Sequence, residues 1–220
     1  MNWVSASDPV GFEQQTVTPD QAFAIFDTIK DELVRCLVVL IAATGMRFRE
    51  ALGLRWSDVR SDMQDVMIRR RFADGEMNQP KSLASRAPVE MTPQLAEVLK
   101  LWRRESNYAK EDDLIFASET MRGKQPRTGC TISQKYIRPA AERLGIIQPD
   151  SPRFGMHALR HSLATFLAEQ GTEPEVIQRI LRHSTLPMTM RYTHLRKLSR
   201  AAQIAFLKKF TNGNDDGNAG

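Results

Sequence analysis

The stretch that organises this chain is basic and rich in histidine: residues 157–165 read HALRHSLAT, and residues 181–194 read LRHSTLPMTMRYTH. All 4 histidines of the chain lie in these two segments, together with several arginines and one tyrosine, Tyr192. Arginine and histidine side chains donate hydrogen bonds to anions, and a tyrosine hydroxyl becomes a nucleophile once it loses its proton. The two segments therefore predict a site that holds an anion and attacks it.

Each of these residues also has a structural interpretation. His157 and Arg160 stand three residues apart on a predicted helix, either as a capping histidine and a solvated arginine or as two donors to one phosphate. Tyr192 is either a half-buried packing residue or a nucleophile that cationic neighbours activate. For His161, which lies further round the helix from Arg160, and for His194, we expect a structural role.

Composition limits the class of protein. With 220 residues, 41% hydrophobic and 26% charged, the chain is long enough to bury a core as one large domain. The net charge of +5 favours a polyanion as partner. Cys36 and Cys130 have neither metal-ligand nor disulfide spacing, which indicates a reducing cytosol. The longest apolar run, residues 37–43, is too short to span a bilayer.

Helix signals recur along the chain. Thr18 precedes Pro19 and Gln21, which predicts an N-cap, a proline at N1 and a capping box. Thr172 and Glu175 predict a second capping box. The predicted helices run from residue 19 onward and over residues 32–44 (ended by Gly45), 93–107, 131–144 (ended by Gly145), 157–170 and 172–181, with a short helix carrying Tyr192 and an amphipathic helix over 199–210.

The helical period is lost between residues 66 and 91. Residues 66–68 and 86–91 are predicted strands, with turns at residues 74–75 and 82–85. The expected fold class is mainly α with a small antiparallel β-sheet (α+β). We expect one compact unit over residues 18–210, after an extended lead-in of residues 1–17 and before a disordered tail of residues 211–220.

Five short motifs together resemble the catalytic boxes of the tyrosine recombinase (phage integrase) family. They occur in the family's order, and the resemblance covers about residues 18–210. The motifs are TGMRFRE at 44–50, PKSLASR at 80–86, HALRHSLAT at 157–165, LRHS at 181–184 and TMRYTH at 189–194.

The resemblance implies how the site would bind phosphate. Arg47 and Arg160 resemble the two arginines that clamp the non-bridging oxygens of the scissile phosphate. Glu50 matches the acidic position that steadies the first arginine, and His183 matches the residue that donates a hydrogen bond to the phosphate.

The resemblance also implies the reacting groups. Tyr192 would attack phosphorus and form a 3′-phosphotyrosyl link, while Lys81 would protonate the departing 5′ oxygen. His157 would handle the proton of the tyrosine. Attack by a second 5′ hydroxyl would rejoin the strands, so no cofactor, metal or ATP is expected. The alternatives are cleavage and religation like that of a type IB topoisomerase, or a non-catalytic DNA-binding module of the same fold.

The partner implied is double-stranded DNA. Two departures from the family pattern are Ala158, in place of an acidic residue, and Arg182, in place of a glycine whose positive φ an arginine adopts only at a cost. The candidate phosphate contacts outside the catalytic set are Arg86, Arg122, Lys124, Arg127 and Arg182.

The resemblance implies an assembly and a setting as well. Family members act as a homotetramer on DNA. Whether the chain is a monomer when DNA is absent is left open. They usually carry an N-terminal DNA-binding domain, so we expect this chain to be the catalytic domain of a longer protein, in a bacterial or phage-derived cytoplasmic enzyme. The apolar stripe of the last predicted helix, with Phe206, Leu207 and Phe210, could dock on a neighbouring protomer or on its own core.

Overall fold

The structure is a computed structural model of the chain, and it describes residues 17–80, 87–151, 154–190 and 192. It is mainly helical with small antiparallel sheets, as expected. The elements in chain order are α1 (Pro19–Thr28), α2 (Glu32–Thr44), α3 (Phe48–Ala51), β1 (Asp65–Val66), β2 (Arg71–Ala73), β3 (Glu76–Asn78), β4 (Val89–Glu90), α4 (Pro93–Glu105), α5 (Gly129–Ile132), α6 (Arg138–Arg143), α7 (Met156–Glu169), α8 (Pro174–Leu181) and a short helix α9 over 186–190.

The first helix begins, and the second helix ends, where their sequence signals predict. The Thr18 hydroxyl accepts a hydrogen bond from the Gln21 N–H at 3.2 Å, and the Gln21 side chain accepts one from the Thr18 N–H at 2.9 Å. This capping box satisfies two N–H groups that the first turn of α1 leaves without helical acceptors. Helix α2 ends at Gly45, which adopts a left-handed conformation with φ +61°.

Helix α2 is the centre of the core. Its side chains are buried on nearly every face, and it packs against α1, α3, α4 and α7. Buried apolar side chains such as Leu37, Leu40 and Ile41 lie in one large cluster that extends from Val17 to Leu159. A second, smaller cluster joins α7 and α8 to the tyrosine: Ala164, Ala168, Ile177, Leu181 and Tyr192. The core therefore brings the C-terminal end of α2 next to that of α8.

The predicted sheet is two separate two-stranded sheets. Strand β1 pairs antiparallel with β4, and β2 pairs antiparallel with β3 through the turn at Asp74 and Gly75. The prediction extended β1 to Ile68, but the Met67 N–H donates to the carbonyl of Asp58 instead of continuing the ladder. Ile68 is still buried, in the main core.

Two helix boundaries differ from prediction. Thr128 caps α5 by accepting from the Thr131 N–H, so the helical segment begins before residue 131. A π-helical turn at Ser133–Ile137 links α5 to α6, next to Pro139, whose nitrogen has no hydrogen to donate. The predicted capping box at Thr172 is wrong: Pro174 takes N1, so the N-cap of α8 is Glu173, and its side chain makes no capping hydrogen bond.

Some sequence predictions lie outside the described residues. These are the lead-in before Val17, the turn at 82–85, the helix over 199–210 and the tail over 211–220. Val17 itself is buried, and its N–H donates to the Ser162 hydroxyl at 2.7 Å. In the part of the chain that is described, no helix has the length and apolar character needed to cross a membrane.

Alanine substitutions of Gly45 and Gly145 test how tightly α2 is packed against α8. Both adopt positive φ at a helix end, but a Cβ on Gly45 would lie 2.5 Å from Leu181 Cδ2, whereas one on Gly145 would have nothing within 4 Å. We expect Gly145→Ala to lower the free energy of unfolding by about 1 kcal/mol through the left-handed backbone alone. Gly45→Ala should cost about 1–3 kcal/mol more through overpacking. Urea unfolding followed by tryptophan fluorescence measures both, and equal losses would contradict this packing.

Candidate active site

The site lies where α2 and α8 end, next to α7. Arg160 on α7 is buried, and its guanidinium donates to the carbonyl oxygens of Gly45 and Leu181, the latter at 2.6 Å. Gly45 is the C-cap of α2, and Leu181 is the last residue of α8. Since the C-terminal end of a helix carries a partial negative charge, these carbonyls offset part of the cost of burying the cation.

The positive charge of the buried Arg160 guanidinium is nevertheless poorly compensated. Burial is the main cause that lowers the pKa of its guanidinium to about 9, and the positive charges of Arg47 and Arg182 lower it further. The opposing contributions come from the carboxylate of Glu50 and from the ionised form of Tyr192. An anion next to Arg160 would relieve this electrostatic cost.

Glu50 connects the other two arginines of the site. Its carboxylate, only 3% exposed, lies 3.0 Å from Arg47 Nη1 and 3.2 Å from Arg182 Nη2, and it also accepts from the Arg47 N–H. Arg47 in turn donates to the carbonyl oxygen of Arg182 at 3.1 Å. The short helix α3 therefore holds Arg47 at the C-terminal end of α8.

Arg182 has the left-handed conformation that its position in the motif implied, with φ 54° and ψ 45°. Its side chain is buried, and its Nε is without a hydrogen-bond partner among the described residues. Burial lowers the pKa of its guanidinium, and Glu50 opposes that shift. Thus Arg47, Arg160 and Arg182 together carry more positive charge than Glu50 neutralises, which favours a bound anion.

His183 is buried next to this cluster, and Thr189 holds its ring. The Thr189 hydroxyl lies 2.8 Å from His183 Nδ1 and is completely buried. Burial lowers the pKa of His183 to about 4, with further lowering by Arg160 and Arg47. The imidazole is therefore neutral at pH 7, with one N–H.

The buried hydroxyl decides which nitrogen of His183 carries that hydrogen. Within the described ranges, His183 Nδ1 is the hydrogen-bond partner of Thr189 Oγ1. If Nδ1 donated to the hydroxyl, the hydroxyl hydrogen would be buried without an acceptor. Thr189 therefore donates to Nδ1, and the hydrogen of the imidazole lies on Nε2, where it can be donated to a ligand.

Tyr192 lies between two histidines. It is 8% exposed, and its hydroxyl makes a short contact with His161 Nδ1. Its ring centroid is 5.9 Å from that of His161 and 6.4 Å from that of His183. Sequence reasoning gave His161 a structural role and assigned the tyrosine proton to His157.

His157 occupies the first turn of α7, and its side chain is exposed. Partial removal of the ring from water is the largest cause that lowers its pKa, followed by the charges of Arg160, Arg49 and Arg47. His157 therefore belongs to the same positively charged region as the arginines.

The remaining predicted residues fall into two groups. Lys81 and Arg86 lie outside the described residues, but Ala87, which follows them in the chain, lines a cavity of about 390 Å³ together with Arg182 and His183. In the basic loop Arg122 and Lys124 are exposed, whereas Arg127 pairs with Asp31 and lies 5.9 Å from the centre of the Tyr136 ring. Arg127 is therefore engaged in a contact within the protein.

Sequence reasoning missed two contacts, those of His161 and Thr189. Both residues stand inside the quoted motifs, four residues after His157 and three before Tyr192. That proximity was the only available signal, because the His161 contact depends on how Tyr192 packs on α7 and the Thr189 contact depends on the turn between α8 and α9.

Fold and site together define a class: a mainly helical domain whose buried arginines face a tyrosine and are arranged to hold an oxyanion. Among the described residues, no cluster of His, Cys, Asp and Glu side chains could hold a metal ion. The family model described as "Phage integrase family" matches residues 15–198. The chain therefore belongs to the phage integrase family, whose members are the tyrosine recombinases.

Individual relatives agree with this family. An Escherichia coli integrase/recombinase is 29% identical, with 84% of this chain and 61% of the relative covered. A tyrosine recombinase XerC from Psychromonas ingrahamii is 24% identical, with 82% and 56% covered. The chain thus spans a little over half the length of the curated relatives it matches.

Solved structures share the fold. The Tn1549 transposon integrase in complex with circular intermediate DNA has a TM-score of 0.68 at 19% identity, covering 87% of this chain and 68% of that one. The catalytic domain of bacteriophage HP1 integrase has a TM-score of 0.53 at 20% identity, covering 88% and 95%.

Substitution of Thr189 tests the state of His183. We expect Thr189→Val to lower the free energy of unfolding by about 1–3 kcal/mol, because His183 Nδ1 loses its buried donor. Thr189→Ser keeps the hydroxyl and serves as the matched control. Imidazole ¹⁵N chemical shifts should place the hydrogen of His183 on Nε2 in the wild-type and Ser chains. A hydrogen on Nδ1 in the wild-type chain would contradict the assignment.

Proposed function

We propose that this chain is the catalytic domain of a site-specific DNA recombinase in which Tyr192 is the nucleophile. Tyr192 attacks the scissile phosphate of double-stranded DNA, leaving a 3′-phosphotyrosyl link and a free 5′ hydroxyl. A 5′ hydroxyl of another strand then attacks that link and releases the tyrosine. The number of phosphoester bonds is unchanged, so the exchange consumes no ATP.

One observation carries this proposal: the hydroxyl of the buried Tyr192 contacts His161, the neighbour in sequence of Arg160, and the charge of the buried Arg160 is poorly compensated. A negative charge on Tyr192 would raise the pKa of Arg160, whose carbonyl partners fix it at the ends of α2 and α8. A phosphodiester is the anion that both features suit, because guanidinium groups bind its oxygens and the phenol attacks its phosphorus.

The arginines have distinct tasks in this proposal. Arg47 and Arg160 bind the non-bridging oxygens, and their charge stabilises the negative charge that develops as phosphorus accepts the nucleophile. Glu50 orients Arg47 and Arg182 through its two oxygens. Orientation by a buried carboxylate keeps long side chains from having to reorganise during the reaction.

Hydrogen-bond donors complete the site. His183 Nε2–H donates to the phosphate, and Lys81 donates a proton to the departing 5′ oxygen. His157, in the positive region of Arg47 and Arg160, is the proton-handling histidine of the resemblance. Arg122 and Lys124, both exposed, and Arg86 are proposed to contact phosphates beyond the scissile one.

The proposed partner and assembly follow from the reaction. The Tn1549 integrase and the XerH recombinase were solved bound to DNA, and we propose double-stranded DNA as the partner of this chain as well. Exchange between two duplexes involves four strands, and each protomer brings one Tyr192. A homotetramer on DNA is therefore the proposed active form, and a bacterial cytoplasm is its proposed setting.

Tyr192→Phe tests the nucleophile. With a nicked duplex of the cognate site that traps the cleaved state, the wild-type chain should form a covalent protein–DNA adduct in the presence of EDTA. Tyr192→Phe should form none, because it lacks the attacking oxygen, while Tyr108→Phe should keep the adduct. Absence of adduct from the wild-type chain, and from a longer protein that contains it, would overturn the proposal. Strand-transfer products separate a recombinase from a topoisomerase, which would only relax DNA.

Arg160→Lys tests the clamp. A lysine keeps the charge but cannot donate to two phosphate oxygens while also bonding the carbonyls of Gly45 and Leu181. We expect the single-turnover cleavage rate to fall by about 10²- to 10³-fold, comparable to the loss of one oxyanion donor. Arg127→Lys, which changes an arginine paired with Asp31, is the control. Cleavage at the wild-type rate would remove Arg160 from the clamp.

A further inference from the structure

The hydroxyl of Tyr192 is held by His161, a residue to which the family resemblance gives no role in the reaction. The contact joins Tyr192 Oη to His161 Nδ1 and is short. The tyrosine ring packs on the cluster of Ala164, Ala168, Ile177 and Leu181, and all four are completely buried. His161 is therefore held against a nucleophile that is itself fixed by packing.

The geometry indicates which of the two groups donates the hydrogen in this contact. A neutral imidazole can accept a hydrogen bond at one ring nitrogen, and a phenol donates its hydrogen to such an acceptor. Tyr192 is buried, so its hydroxyl hydrogen needs an acceptor, and His161 Nδ1 is in place. The phenolic hydrogen therefore points at a group that is able to take it.

The surroundings favour transfer of that hydrogen. The negative charge left on Tyr192 when that hydrogen departs would raise the pKa of Arg160, so the phenolate and the guanidinium stabilise each other. A guanidinium close to the phenol oxygen stabilises the negative charge left when the hydrogen departs. Arg160 and His161 are adjacent in the sequence of α7, so one helix turn supplies both the stabilising cation and the acceptor.

We propose that His161 is the base that removes the proton of Tyr192 during DNA cleavage, which rests on the proposed function of Tyr192 as the nucleophile. The Tyr192 O–H bond breaks and its proton passes to His161 Nδ1, while the oxygen forms a bond to phosphorus. The bond from phosphorus to the 5′ oxygen breaks, and that oxygen keeps the electron pair and takes a proton from Lys81. In rejoining, the attacking 5′ hydroxyl gives its proton to Lys81, and His161 returns its proton to the departing Tyr192.

This assignment separates the two histidines of α7. His157 lies one helix turn earlier, among Arg47, Arg49 and Arg160, on the side where the phosphate is proposed to bind. His161 contacts the nucleophile. The role of accepting the proton of Tyr192, which the resemblance gives to His157, thus belongs to His161. His157 keeps a contact to the phosphate.

The test compares single-turnover adduct formation on the nicked duplex between pH 6 and pH 10. We expect His161→Ala to be about 10²- to 10⁴-fold slower than the wild-type chain at neutral pH, the usual contribution of a base. Its rate should rise about tenfold per pH unit toward the ordinary phenol pKa near 10, as solvent hydroxide replaces the base. Added imidazole should restore part of the rate.

Two further variants separate a base from a positioning residue. His161→Asn keeps an oxygen that can accept from the phenol but cannot take up a proton, so it should be as slow as His161→Ala. His157→Ala should be slower than wild type but keep the wild-type pH profile. A wild-type rate for His161→Asn, or a wild-type pH profile for His161→Ala, would overturn the proposal.

The outcome for His161 is distinguishable from the outcome for Tyr192. Failure of the wild-type chain to form an adduct would refute the proposed function itself. If the wild-type chain forms the adduct and both His161 variants match it, the function stands and the base is refuted. A ¹³Cζ titration of Tyr192 checks the contact without DNA: its midpoint should shift between the wild-type chain and His161→Asn, and an unchanged midpoint would count against the contact. Circular dichroism confirms that each variant is folded.

Discussion

The hydrogen bonds from Arg160 to the carbonyl oxygens of Gly45 and Leu181 are the interaction on which the rest of the site depends. They join the C-terminal ends of α2 and α8, two helices that are far apart in sequence. A buried guanidinium has few ways to recover its lost hydration, and two helix ends supply acceptors with the right partial charge. The same bonds fix the position of Leu181, against which Tyr192 packs. One buried cation thus holds two helix ends together with the residue against which Tyr192 packs.

Those carbonyl oxygens carry only partial negative charges, which leaves the positive charge of Arg160 partly uncompensated. Arg47 and Arg182 bring two further positive charges, while Glu50 brings one negative charge. A structure selected for stability alone would gain by replacing buried ions with apolar side chains of similar volume. Here the excess charge persists in a place where a phosphate can be bound. In the proposed reaction, this electrostatic cost in the free protein makes binding of the transition state, with its greater negative charge, favourable.

Local signals made much of the fold predictable. The capping box at Thr18 and the glycine at Gly45 define helix ends through contacts within a few residues, and both predictions are confirmed. The signal at Thr172 was misleading because Pro174 competes for the start of α8. In the site, the order of the motifs identified the arginines and Tyr192 as neighbours. The contact of His161 could not be predicted, since it depends on how Tyr192 packs on α7. That of Thr189 depends on the turn that brings His183 to α9.

Arg182 shows how a departure from the family pattern is accommodated. A left-handed backbone costs a residue with a side chain about 1–2 kcal/mol, which glycine would avoid. The conformation directs the carbonyl oxygen of Arg182 to Arg47 and its guanidinium to Glu50, so both ends of the residue enter the site. A hydrogen bond to a charged group contributes about 1.5–3 kcal/mol, enough to offset the backbone cost. The strain therefore remains because the residue that bears it helps to orient and charge the site.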